Sequence, residues 1–217
     1  MASLQMPTEL PCACFPYAAC TVQLLEGLGV FHFTTSRRTG AGHDWDASTG
    51  SGRVSGFDWK GWRGEIEATL LFVVKDGRIL LIEKKRGHGA GKVNGPGGKM
   101  ELGETPLECA LRETQEELHI SVKTAWKAAE LWFHMSDYPD IICHVFMAED
   151  FDGTPEETDE AVPLWVALDA IPYERMWEDD RHWLPLVLEG KSILGKFSFE
   201  AEVMLEKEII FRDWNTL

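Results

Sequence analysis

The residues best suited to chemistry are three glutamates, Glu113, Glu116 and Glu117, in the run Arg112-Glu113-Thr114-Gln115-Glu116-Glu117-Leu118. On a helix, side chains three and four apart have Cβ atoms about 5–6 Å from one another. Carboxylates at that spacing repel, so grouping them costs stability unless a cation intervenes. Hard oxygen donors clustered this way suit Mg²⁺ or Mn²⁺. The plainer alternative is a solvated acidic face on which Arg112 and Glu116 pair across one turn. Context separates the two readings, because the triplet follows Gly97-Gly98 and Glu104 at fixed distances.

The element that must carry these carboxylates is a helix over Pro106–Leu118. Thr105 can cap it, Pro106 suits the first helical position, and Glu108 falls three residues after the cap, completing a capping box. At about 100° per residue, Leu107, Ala110, Leu111, Thr114 and Leu118 share one face that can pack on a sheet. The three glutamates then project from the other side. Ahead of the helix, the apolar runs Ala68–Lys75 and Arg78–Lys84 meet at Asp76-Gly77, a hairpin signal. A Gly-rich loop follows over Gly87–Gly98. Further strand-like runs lie at Ala129–Met135, Ile141–Ala148, Leu164–Leu168, Ile193–Ala201 and Val203–Phe211, with a second helix over Asp180–Leu188. Strands interleaved with two helices predict a layered fold with a mixed sheet.

The N-terminal sixty residues differ in texture. Residues 34–56 are rich in Gly, Ser and Thr and read as a linker. We therefore expect a flexible extension over residues 1–60 and a folded domain over residues 61–217. The chain carries 21 Lys and Arg against 36 Asp and Glu, a net charge of −15. That balance argues against an extended nucleic-acid partner, which calls for a basic face. It also means that a phosphate-bearing ligand must be held by local cations or bound metal. Lys84, Lys85, Arg86, Lys92 and Lys99 form the one basic island; each can also be a solvated loop charge. No run approaches the roughly 18 apolar residues of a membrane helix. Five cysteines (Cys12, Cys14, Cys20, Cys109 and Cys143) without regular spacing point to a reducing, cytoplasmic setting. Cys12, Cys14, Cys20 and His32 lack the paired spacing of structural zinc sites.

Gly98, five residues, Glu104, seven residues, Arg112-Glu113, two residues, Glu116-Glu117 and a closing Ile120 together resemble the box of the Nudix hydrolases. Thr114 departs from the usual bulky apolar residue, and His119 from the glycine that ends the helix in a left-handed turn. The resemblance implies an α+β Nudix fold, a mixed sheet sandwiched between helices in an α/β/α arrangement. It further implies that Glu113, Glu116 and Glu117 ligate Mg²⁺ (or Mn²⁺), that the Gly97 carbonyl and Glu160 assist, and that Arg112 orients a box glutamate. By the same resemblance, the base expected to deprotonate the attacking water is Glu116 or Glu117.

From about Glu67 to Ile210 the resemblance extends to the MutT-type oxidised purine nucleoside triphosphatases, the 8-oxo-dGTP and 2-hydroxy-dATP diphosphatases of animals. It rests on Lys84-Lys85-Arg86-Gly87-His88-Gly89-Ala90-Gly91-Lys92-Val93-Asn94-Gly95, on Gly153–Glu160, and on Trp177-Glu178-Asp179-Asp180. In that group the residues matching Asn94, Trp177, Asp179 and Asp180 bind the purine. Phe133 would add an apolar wall, and Lys84 would meet the phosphates. Capping by Asp179 or Asp180 and core packing of Trp177 or Phe133 are the plainer roles. His88, Val93, Pro96 and Met135 stand where the animal enzymes have aromatics, which implies a looser pocket.

The implied activity is nucleotide-pool sanitation, releasing nucleoside monophosphate and pyrophosphate, by a monomer acting on a small nucleotide away from membranes. Alternatives are another Nudix activity (on unmodified or methylated purine triphosphates or nucleoside diphosphate sugars), RNA processing, and a non-catalytic nucleotide-binding module.

Overall fold

The computed structural model describes residues 57–214. The expected extension over residues 1–60 lies outside the described residues except for its last four, and Cys12, Cys14, Cys20 and His32 lie outside them altogether.

Strands β1 (Ile66–Lys75) and β2 (Arg78–Lys84) form the expected hairpin. Its turn residues Asp76 and Gly77 both have positive φ, 51° and 71°, as a tight hairpin turn of matching twist requires. Then follow β3 (Val93–Asn94), helix α1 (Pro106–Leu118), β4 (Ser121–Val122), β5 (Trp126–Met135), β6 (Ile141–Ala148), β7 (Phe151–Asp152), β8 (Ala161–Ala167), helix α2 (Asp180–Leu188), β9 (Ile193–Glu200) and β10 (Val203–Phe211). The main sheet runs β10-β9-β5-β6-β1-β2-β3, with β8 on the other side of β2. It is mixed, because β1 pairs β6 and β5 pairs β9 in parallel while the remaining pairs are antiparallel.

Alternating side chains give the sheet two apolar faces, as the pleat requires. On one, Leu71, Val73, Leu80, Ile82 and Phe146 pack with Ala110 and Leu118 of α1. On the other, Phe72, Leu131, Val145 and Phe197 pack with Trp183, Leu184 and Val187 of α2. The α/β/α layering follows directly. Among the described residues no helix is long and apolar enough to cross a membrane.

One irregularity creates the site. β1 and β2 pair only beside their turn, from Val73↔Leu80 to Lys75↔Arg78. Farther out β2 turns to β3 through Ile82↔Asn94. β1 is completed instead by the Gly-rich segment: Leu71 N donates to Pro96 O at 2.9 Å, Thr69 N to Gly98 O at 2.8 Å, and Met100 N to Glu67 O at 2.9 Å. Segment 96–100 thus lies wedged in the fork between β1 and β2, directly before the helix that carries the glutamates.

Candidate active site

At positions 97 and 98 the wedge has room only for glycine. A Cβ on Gly97 would meet Thr69 O at 2.0 Å, and a Cβ on Gly98 would meet the Glu113 carboxyl at 2.4 Å. α1 therefore sits with its carboxylates against bare backbone. Its start is fixed as expected, with the Thr105 side chain accepting from Glu108 N and the Glu108 side chain accepting from Thr105 N. Its inner face differs from the expected one. Leu107 is exposed, whereas Cys109 and Glu117 are buried. The helix is rolled toward segment 96–100, which frees Leu107 and presses Glu117 inward. His119 supplies the left-handed turn itself, at φ 58° and ψ 27°.

Glu117 is 1% exposed and is compensated from two directions. Gly97 N donates to its Oε2 at 2.8 Å, and Lys84 Nζ lies 3.3 Å from its Oε1. Burial pushes its pKa up, and the Lys84 charge works against that rise. Glu113 is likewise raised by burial, with Arg112 opposing. Arg112 gathers the remaining carboxylates: its Nε and Nη2 donate to Glu104 at 2.8 and 3.0 Å, and its Nη1 to Glu113 at 2.8 Å and Glu116 at 3.2 Å. That bidentate grip holds Glu104 down at about 2. Arg112 orients glutamates from behind the cavity and does not line it.

Among the described residues no three His, Cys, Asp or Glu side chains converge as a ready metal cluster. Glu116 is turned to Arg112 and is more than half exposed, and Glu160 is ion-paired with Arg86. The donor set nevertheless suits a hard cation. Gly97 O and Glu117 Oε1 each lie 3.3 Å from the Lys84 ammonium, so two oxygens of different elements already meet at one positive charge. Glu113 adjoins them across Gly98.

The basic island divides. Lys84, Arg86 and Lys99 line the cavity, the first two at its acidic end. Lys85 is turned outward to Glu157 and Thr158 O. Lys92 lies 4.6 Å from the Trp177 ring centroid, and Lys99 lies 5.6 Å from that of Tyr138.

The cavity encloses about 410 Å³ and runs from Glu113 and Glu117 to a compartment bounded by Asn94, Phe133, Trp177, Asp179 and Asp180. Neither aspartate caps α2 through its side chain. Trp183 Nε1 donates to Asp179 Oδ2 at 2.9 Å, and Trp177 N donates to Asp180 Oδ2 at 3.0 Å. Both residues are 3% exposed, and burial drives both pKa values up, with the neighbouring charge of Asp179 adding to the rise at Asp180. Such a pair holds a proton that isolated carboxylates would shed, so it can present a donor and an acceptor together. Asn94 Oδ1 accepts from Gly95 N at 2.8 Å, which leaves its amide hydrogens to a ligand.

The expected residues Lys84, Asn94, Gly97, Glu113, Glu117, Phe133, Glu160, Trp177, Asp179 and Asp180 all border this one cavity; Glu116 and Arg112 stand behind its wall. Sequence reasoning missed Tyr138, which also lines it. Its only signal was an aromatic between charged and turn-forming residues, Asp137 and Pro139.

Residues 66–187 match the NUDIX domain family. The chain is 43% identical over 143 residues to the oxidized purine nucleoside triphosphate hydrolase of Danio rerio, an alignment covering 65% of this chain and 92% of that one. It is 43% identical over 135 residues to the protein of the same name from Mus musculus, covering 62% and 86%. Among solved structures, a MutT protein from Bacillus halodurans superposes with a TM-score of 0.60 at 24% identity, covering 66% of this chain and 97% of that one. At that identity the likeness speaks to the fold.

Proposed function

The chain belongs to the Nudix family, and on that premise we propose that it hydrolyses oxidised purine nucleoside triphosphates with the help of Mg²⁺, releasing nucleoside monophosphate and pyrophosphate. The observation that carries this reading is one continuous cavity with two chemically different ends. One end has buried glutamates with a lysine, and the other has a buried carboxyl pair with an amide and an indole. Only a ligand with a polyanionic tail and a hydrogen-bonding ring system uses both. The zebrafish and mouse relatives, whose names specify oxidised purine triphosphates, support the substrate class.

In this reading the base enters between Trp177 and Phe133. The protonated member of the Asp179–Asp180 pair donates to it and the ionised member accepts, while the Asn94 amide donates. Because the pair can exchange its proton between two carboxyls, it tolerates purines whose edges differ. Lys84 draws the triphosphate toward the acidic end, where a strongly acidic chain would otherwise repel it. A divalent cation would be held by Glu113, Glu116, Glu117, Glu160 and the Gly97 carbonyl, and would neutralise phosphate oxygens and acidify the attacking water. Glu116 or Glu117 accepts the water's proton. Water adds at the β phosphorus, the bond from that phosphorus to the oxygen it shares with the α phosphorus breaks, and the nucleoside monophosphate leaves with that oxygen, freeing pyrophosphate. Arg112 keeps Glu104 and Glu113 in register throughout.

A hydrolysis panel with Mg²⁺ and product resolution tests this. It should compare 8-oxo-dGTP, 2-hydroxy-dATP, O6-methyl-dGTP, dGTP, dATP and ADP-ribose. The expected result is monophosphate and pyrophosphate formed fastest from a modified purine triphosphate. Preference for ADP-ribose would overturn the substrate assignment.

A further inference from the structure

We infer that Tyr138 is a positioning residue for the base compartment and that Trp62 holds its loop in place; this rests on the reading above that the compartment takes a nucleobase. Tyr138 lies between β5 and β6, in a loop whose Ser136, Asp137 and Pro139 are exposed. Tyr138 instead turns inward and borders the cavity. Its ring stacks on His88 with centroids 4.4 Å apart and planes at 23°. His88 in turn stacks on Trp177 at 5.1 Å and 17°. Three rings from three separate segments therefore form one pile. The outer two have ammonium groups over them, Lys99 near Tyr138 and Lys92 near Trp177. Burial and the charges of Lys84 and Lys99 lower the His88 pKa, so a neutral imidazole fills the middle place.

A loop with this exposure would otherwise sample many positions on the nanosecond to microsecond scale. Both of its ends are gripped by the segment that precedes β1. Asp140 accepts from Trp62 Nε1 and contacts His134 Nδ1 at 2.8 Å. The Asp140 carbonyl accepts from Glu65 N at 2.8 Å and from Ile66 N at 3.0 Å. Phe57 stacks on His134 at 3.8 Å and 16°. Trp62 is itself anchored, 8% exposed and stacked on Trp132 at 5.1 Å. Residues 57–65 precede the family match, which begins at residue 66. The clamp passes from Trp62 through Asp140 to Tyr138, and from there through His88 to the face of Trp177. Without the Tyr138 ring, His88 keeps only one stacking neighbour, and the wall facing the base loosens while Glu113 and Glu117 keep their places.

The test uses the full chain with Tyr138→Ala, Tyr138→Phe and Trp62→Phe. It combines steady-state kinetics on 8-oxo-dGTP, dGTP and dCTP with calorimetric titration of dGMP. An aromatic stack of this kind predicts that Tyr138→Ala raises KM about 3- to 10-fold with kcat held within about twofold. Purine preference over dCTP should shrink in proportion. Tyr138→Phe should restore wild-type values, and Trp62→Phe should shift KM the same way by less. Unchanged KM and base preference in Tyr138→Ala would overturn the inference. So would a Phe variant as impaired as the Ala variant, or an equal loss in kcat for every substrate. If the wild-type chain turns over none of the purine triphosphates, the functional reading fails, and the titration decides the inference by itself. Weaker dGMP binding in Tyr138→Ala, restored in Tyr138→Phe, sustains it; equal binding, or none by the wild type, rejects it.

Discussion

The backbone N–H of Gly97 donates to Glu117 Oε2 at 2.8 Å, tying the wedge between β1 and β2 to the buried end of the glutamate helix. Because Gly97 O and Glu117 Oε1 both face Lys84, the two residues share a cation through opposite ends of the same contact. A buried carboxylate with neither partner would be costly. Its burial is therefore tolerated by design of the fork, and the same oxygens are those proposed to serve catalysis.

Glu117→Gln tests this directly. The amide oxygen can still accept from Gly97 N, so the fold should persist while the charge is lost. Turnover should fall on the order of a thousandfold, in the range for loss of an acid–base group. Glu116→Gln should fall in the same direction, with less effect on melting temperature because Glu116 is exposed. Activity retained in both variants would remove the pair from the catalytic centre; kcat together with thermal melting reads the outcome.

How far the sequence announced this arrangement depends on the range of the cause. The cap of α1 is local, written in Thr105, Pro106 and Glu108, and the observed helix starts where those residues place it. The Asp76-Gly77 turn is local too. β3, β4 and β7 have two residues each and are defined by their partners, so no periodicity could reveal them. Helical spacing put Glu117 on the polar side, yet packing against segment 96–100 buried it and exposed Leu107. The base compartment was legible only through a resemblance, since Asn94, Phe133 and Asp179 are far apart in the chain. The Tyr138–His88–Trp177 pile was not legible at all, because three loops meet there without any shared pattern.

Asp179→Asn should change both base preference and the pH dependence of stability. The folded-state pKa values of Asp179 and Asp180 lie above their unfolded values, chiefly through burial. The folded chain thus binds protons more tightly than the unfolded chain, and this pair makes stability fall as pH rises from the ordinary carboxylate range upward. Each unit of upward shift corresponds to about 1.4 kcal/mol. The asparagine removes one titration while keeping an oxygen for Trp183 Nε1. Denaturant unfolding across pH 4 to 8, the range spanning that rise, should show a shallower decline than wild type. Parallel curves would mean that the pair titrates normally.

His119→Gly should stabilise the chain. His119 closes α1 in the left-handed region, at φ 58°, where a side chain costs about 1 kcal/mol that glycine avoids. Glycine's greater unfolded-state freedom offsets part of this, leaving a gain of about 0.5 kcal/mol. The His119–Glu156 contact at 3.5 Å is exposed on both sides and contributes little. Chemical denaturation should move to higher denaturant with kcat unchanged, since His119 lies outside the cavity lining. A lower midpoint would show that the His119–Glu156 contact outweighs the backbone strain.

Gly97→Ala and Gly98→Ala are adjacent and chemically identical changes that should fail in different ways. At Gly97 the new Cβ lies 2.0 Å from the Thr69 carbonyl oxygen, and neither strand β1 nor the wedge can retreat without breaking the pairing of Thr69 N with Gly98 O. That variant should lose about 3 kcal/mol or more, with backbone strain added to a lost hydrogen bond. At Gly98 the obstacle is the end of the Glu113 side chain, 2.4 Å away, which can rotate aside. The fold should survive within about 1 kcal/mol, but the carboxylate leaves its place beside Glu117 and its contact with Arg112. Activity should then drop about 100-fold, as misplacing a catalytic group by about 1 Å does. Melting curves and kcat measured on both variants separate the two. A Gly98→Ala enzyme of normal activity would place Glu113 outside the reacting centre and leave Glu117 and Glu116 to carry the chemistry.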